Sequence, residues 1–160
     1  MKPGKIGVAD HDGVNVIKMS GDVRLTLCLS FDAYIEDMFA SDNFCAVIFD
    51  LTEAEAIDST TLGLMAKISL LAKARGEDQP TILSTAAGIN RLLECMGFAE
   101  IFTIVDSMAE TLSADVYLPE GDLDECRTKT KVIEAHKILM DLNDKNANTF
   151  RDLVNTLENC

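Results

Sequence analysis

The sequence predicts an α/β fold: a mostly parallel sheet of four or five strands with an antiparallel edge hairpin, about four helices, and a helical C-terminal extension. Three observations predict it. Short apolar runs alternate with segments whose apolar residues recur every three or four positions, the strand–helix alternation of a parallel sheet with right-handed crossovers. The first two runs are joined by only "DHDG", too short for a helix. Beyond "YLPEGD" no strand-like run returns, and only helical periodicity is left.

The elements follow in order. Residues 6–9 and 14–19 read as strands, and the Asp12-Gly13 pair between them has the chemistry of a tight hairpin turn. From about 25 to 40 the period changes: Cys28, Phe31, Ile35 and Met38 lie on one helical face. "CAVIFDL" (45–51) is continuously apolar, as a strand covered on both faces should be. Residues 60–75 are helical with Leu64, Ile68 and Leu71 in step, and Gly76 stands where a C-cap belongs. "PTILST" (80–85) reads as a strand, 86–97 as a short helix closing on Gly97, and "IFTIV" (101–105) as a fifth strand. "DSMAETLS" (106–113) reads as a fourth helix capped by Asp106 or Ser107.

The chain divides into a body, 1–114, and an extension, 115–160. The stretch 122–160 has eight acidic and six basic side chains, so it carries −2 and the residues before it the remaining −11. Val132, Ala135, Leu139, Leu142, Phe150, Leu153, Val154 and Leu157 form an apolar stripe. "NDKNANT" (143–149) splits it in two, with Thr149 and Asp152 as a capping pair for the second helix. Such a stripe packs on the body, self-associates or receives another protein.

With 160 residues, 48% hydrophobic and only 6% aromatic, the chain can bury one aliphatic core. A net charge of −13 argues against nucleic acid or an anionic membrane as partner. No signal-peptide pattern opens the chain and no long apolar run occurs, so it reads as cytoplasmic. The five cysteines are scattered without a C-x-x-C pair, and there are two histidines, so no metal or cofactor is expected. The cysteines read as buried thiols, with Cys160 exposed to oxidation.

Chemistry is scarce. His11 lies in the hairpin turn and His136 in the extension, neither at a strand's carboxyl end, so a Ser-His-Asp arrangement is not expected. No phosphate-cradling glycine motif occurs. Asp50, Glu53, Asp58 and Asp106 could gather at one sheet edge, where solvated loop acids are the ordinary outcome. A receiver-type phosphoacceptor at Asp50 would want a lysine after the fifth strand, and "TIVD" has none.

What stands out is "IDSTTLG". One of Asp58, Ser59, Thr60 and Thr61 must cap the helix. A serine there, on the loop after a buried strand, is also exposed by geometry. A phosphate on it would face the positive end of the helix dipole and add roughly −1.5 to −2 charges to an acidic surface.

"DLTEAEAIDSTTLGLMAKI" (50–68) resembles the signature of STAS domains of the anti-sigma factor antagonist type. "VIKMSGDV" (16–23) and "ILSTAAGINRLLECMGFAEIFTIVDSMAETL" (82–112) resemble flanking parts of that family, over about residues 5–114. The resemblance implies a bacterial partner-switching module that is not an enzyme. Its serine after Ile-Asp, here Ser59, is phosphorylated by an anti-sigma factor with serine kinase activity. A PP2C-type serine phosphatase removes the phosphate. The unmodified form binds the anti-sigma factor and frees a sigma factor. Partner contact is expected at Asp58, Ser59, Thr60, Thr61 and Gly63. The family usually has glycine where this chain has Thr61, so Thr60 and Thr61 are further hydroxyls for modification. The extension exceeds what the family domain needs. It suits an alternative in which a STAS scaffold or ligand-binding module recruits another regulatory protein without phosphorylation.

Overall fold

The computed structural model describes residues 1–110, 112–121 and 124–159; Cys160, expected to be oxidisable, lies outside them. Among the described cysteines only Cys28 is buried; Cys45, Cys95 and Cys126 are exposed, against the expectation of buried thiols, because they fall at element ends or on outer faces rather than on the core stripe. The chain opens with an antiparallel hairpin of β1 (Lys5–His11) and β2 (Val14–Val23). Asp12 and Gly13 both have positive φ, 54° and 92°, the backbone that a two-residue turn needs to follow the strand twist. Then come α1 (Cys28–Ala40), β3 (Ala46–Ile57), α2 (Ser59–Ala74), β4 (Thr81–Leu83), α3 (Ala87–Cys95) and β5 (Thr103–Val105). A two-residue strand β6 (Val116–Tyr117) precedes α4 (Glu125–Leu142) and α5 (Asp144–Glu158). The strand order is β5-β4-β3-β2-β1-β6. The pairs from β2 to β5 are parallel, and β1 pairs antiparallel with both neighbours.

The α/β class, the hairpin edge and the helical extension are as the sequence predicts. Three details differ. The described residues of 106–113 form no helix, because this stretch must carry the chain from β5 to β6 at opposite edges of the sheet. Five strand spacings are about 24 Å, whereas eight helical residues rise only about 12 Å. Ten extended residues reach about 33 Å. His11 pins the crossing, with Nε2 2.8 Å from the Ser113 carbonyl. The β6 strand was not visible in the sequence, since two residues carry no periodicity. In the extension the break falls at Asn143 alone. Its side chain accepts from the Asn146 N–H at 2.8 Å and caps α5, while Thr149 sits inside α5 and donates to the Lys145 carbonyl.

The core is aliphatic around four phenylalanines, Phe31, Phe49, Phe98 and Phe102, each buried. Ala135 and Leu139 of α4 and Phe150 of α5 join the same cluster. The apolar stripe of the extension therefore packs on the body. This explains a feature of α2: Leu62, Leu64, Met65, Ala66, Ile68 and Ala72 are all buried, so the helix has almost no solvated face. One side lies on the sheet and the other under α4.

Two contacts fix α4 in place. At Gly63 a Cβ would lie 2.3 Å from the Ala135 carbonyl oxygen, so only glycine lets the two backbones approach this closely. Beside it, Lys67 of α2 and Lys131 of α4 each bridge Asp32 of α1 and Glu134 of α4, at 2.6–3.0 Å. Burial alone would push the two carboxyls up, but the lysine hydrogen bonds outweigh it and hold both below the ordinary carboxylate range. Burial likewise opposes charge on Lys67 and Lys131, and the carboxylates overcome it, raising both ammonium groups.

Candidate functional site

The site forms where the long central strand β3 ends at Ile57 and the chain turns into α2. Asp58 is the N-cap: its backbone is extended, and its side chain accepts from the Thr61 N–H at 2.9 Å. Its carbonyl accepts from the Leu62 N–H at 3.0 Å. Asp58, rather than a hydroxyl, does the capping, worth about 1 kcal/mol. Ser59 is then the first helical residue, half-buried, with its side chain left for other work.

That hydroxyl meets His136. Ser59 Oγ lies 2.7 Å from His136 Nε2, and His136 Nδ1 lies 2.6 Å from the Val132 carbonyl oxygen one turn back on α4. A carbonyl can only accept, so Nδ1 carries the ring hydrogen. In the neutral ring Nε2 is then the acceptor, and Ser59 donates to it. The ring is buried and meets the Phe150 ring edge-on, with centroids 5.0 Å apart. The sequence reading set His136 aside because it lies in the extension and not at a strand's carboxyl end; packing of α4 across α2 brings it to Ser59, 77 positions earlier. The orienting third group is a backbone carbonyl, not the carboxylate of a Ser-His-Asp triad.

Beside this pair opens a groove of about 560 Å³. Asp58, Ser59 and Thr60 form one end, Leu25 one wall, Thr128, Val132 and His136 another, and Leu153 and Leu157 of α5 the rest; Glu125 and Lys129 stand among the lining groups. Leu25 and Leu153 are exposed apolar side chains. Thr128 is nine-tenths buried, and its hydroxyl has no hydrogen-bond partner among the described residues.

The other expected site residues lie deeper. Thr60, Thr61 and Gly63 are all buried, Gly63 directly against α4. The four acids do not gather. Asp50 accepts from the Thr52 N–H and hydroxyl at 3.0 and 2.7 Å, Glu53 pairs with Lys18, and Asp58 caps α2. Among the described residues no group of three or more His, Cys, Asp or Glu side chains is placed to hold a metal ion, and no helix is long and apolar enough to cross a membrane. Sequence reasoning missed His136 and Thr128. The near absence of a polar face on "LGLMAKI" was the one signal that α2 is covered on its outer side.

The chain is similar to the crystal structure of an anti-sigma factor antagonist from Mycobacterium paratuberculosis. The TM-score is 0.53 at 20% sequence identity, over 66% of this chain and 88% of that one. The fold is STAS-like. No family model and no curated protein matches the sequence. At this identity the likeness speaks for the fold, and the site must be argued from its own geometry.

Proposed function

We propose that this protein is an anti-sigma factor antagonist whose partner binding is switched by reversible phosphorylation of Ser59. The observation that carries this reading is the position of the Ser59 hydroxyl. It stands free of capping duty at the first residue of α2, on the rim of an open apolar groove. A side chain there can reach a kinase and a binding partner in turn. Ser59, rather than Thr60 or Thr61, is the acceptor, because both threonines are buried beneath the first turn. Likeness to a solved anti-sigma factor antagonist supports the same reading.

The mechanism is electrostatic. The unmodified groove offers an apolar surface with a neutral hydroxyl at its end. A phosphate would add roughly −1.5 to −2 charges there, next to Asp58 and on a chain already at −13. An apolar partner surface seated on the groove would then meet a dianion and leave. The α2 N-terminus tolerates the charge, since its dipole and N–H groups favour anions. The partner on this reading is an anti-sigma factor with serine kinase activity, and a PP2C-type serine phosphatase reverses the modification. Direct contact falls on Asp58 and Ser59, while Thr60, Thr61 and Gly63 shape the surface from below. No catalytic role is assigned to the domain itself.

The test compares Ser59→Ala with Ser59→Asp as baits in the cell that makes the protein. The anti-sigma factor should co-purify with Ser59→Ala as with wild type and be lost from Ser59→Asp. Equal recovery with both variants, or no anti-sigma factor with either, would contradict the switch.

A further inference from the structure

Nothing in a phosphoserine switch requires the extension, yet among the described residues it is the extension that supplies the side chain hydrogen-bonded to the Ser59 hydroxyl. Resting on the reading of Ser59 as the modified residue, we propose that the C-terminal extension completes the phosphoacceptor site. His136 takes the Ser59 proton during phosphoryl transfer and then remains as the counter-charge that holds the phosphate, with Thr128 as a further donor.

The geometry supports each part. Ser59 already donates to Nε2 at 2.7 Å, the distance a base needs. The Val132 carbonyl fixes the ring's other nitrogen as the protonated one, so the nitrogen facing Ser59 is the basic one. In the transfer, a kinase-held nucleoside triphosphate provides the phosphoryl group. The Ser59 Oγ–P bond forms as the bond from the γ-phosphorus to the diphosphate breaks. The Ser59 proton passes to His136 Nε2, leaving an imidazolium, a phosphoserine and a nucleoside diphosphate. The imidazolium then donates from Nδ1 to Val132 and from Nε2 to a phosphate oxygen.

A second, independent observation points to an anion in this groove. The Thr128 hydroxyl, on a residue that lines the groove, is buried without a partner among the described residues. Such a group costs stability until an acceptor arrives. A phosphate on Ser59 brings three acceptor oxygens. The charges around His136 are mixed: Asp58 from the α2 cap and Glu125 from α4 oppose the anion, and Lys129 of α4 favours it. Among the described residues, α5 lines this part with apolar groups, Phe150 against the ring and Leu153 and Leu157 in the groove.

The experiment uses the full chain with phosphoserine placed at position 59 during translation, so that no kinase is needed. Nitrogen NMR of the His136 ring at neutral pH reads the proposal in the wild-type background. The Ser59 protein should give one protonated and one bare nitrogen, and the phosphoserine protein two protonated nitrogens. Phosphorus NMR across pH should show the phosphate binding its last proton about tenfold more weakly with His136 than in a His136→Gln variant. Thr128→Val, which keeps the shape and removes the hydroxyl, should weaken that difference. An unchanged pattern of ring nitrogens on phosphorylation would overturn the proposal, and so would a phosphate titration indifferent to His136→Gln. A chain that is never phosphorylated in its cell would instead defeat the switch itself, a separate result.

Discussion

The extension meets the body in two places that are built differently. Around Gly63 the contact is dry and full: Ala135 and Leu139 are completely buried, two backbones touch, and four charges neutralise one another in pairs. One turn away toward the start of α4 the packing opens. Thr128, Val132 and His136 line a groove, the Thr128 hydroxyl lacks a partner among the described residues, and Leu153 is exposed. The first contact has no feature that a ligand would complete. The second has little that stability alone would select. The difference teaches that α4 is anchored at Ala135 and Leu139, which sets Thr128, Val132 and His136 along the groove beside the start of α2.

Breaking the anchor should have the largest effect. Leu139→Ala removes a fully buried side chain shared by the extension and the core. It should cost about 2–5 kcal/mol, read by chemical denaturation. Gly63→Ala forces a methyl against the Ala135 carbonyl. It should cost about 1–3 kcal/mol and, in hydrogen exchange, deprotect α4 more than β2 or β3. If both regions lost protection equally, the anchor would not be a local device.

Acid sharpens the comparison further. Asp32 and Glu134 are held below the ordinary carboxylate range in the fold, so the unfolded chain binds more protons there. Their contribution is therefore present at neutral pH and is lost as pH falls through their folded-state values. Lys67 and Lys131 are raised, so their contribution is complete below the ordinary lysine range and fades only as pH climbs through it. Exchange protection of α4 should thus fall in acid before that of the sheet, and Asp32→Asn should flatten this dependence. The smallest effect belongs to the site. Asp58→Ala removes the α2 cap at a cost of about 1 kcal/mol, a fall of about 2–4 °C in melting temperature. It should leave the Gly63 contact intact.

Much of this architecture was legible in the sequence because its signals are local. Asp12-Gly13 announces the hairpin, "CAVIFDL" a doubly covered strand, and "IDSTTLG" a capped helix start. The segment 106–113 misled because its helical look is local, whereas its conformation is set by the distance it must cross. Ser59 was legible for the same reason as the cap beside it. His136 was not: its role comes from α4 lying across α2, and no spacing within the chain encodes a contact across 77 positions. Gly63, one residue in a helix, is where that crossing was written, and it reads as a crossing only once the partner helix is known.

The central claim is that Ser59 carries a phosphate in some states of the cell. Intact and peptide mass spectrometry on protein taken from its own cell, with a phosphatase-treated control, tests it most directly. The account predicts a single phosphate on Ser59, abundant under some growth conditions, absent under others and removed by the phosphatase. An unmodified Ser59 under every condition would contradict it and leave "IDSTTLG" as a capped helix beside an apolar groove.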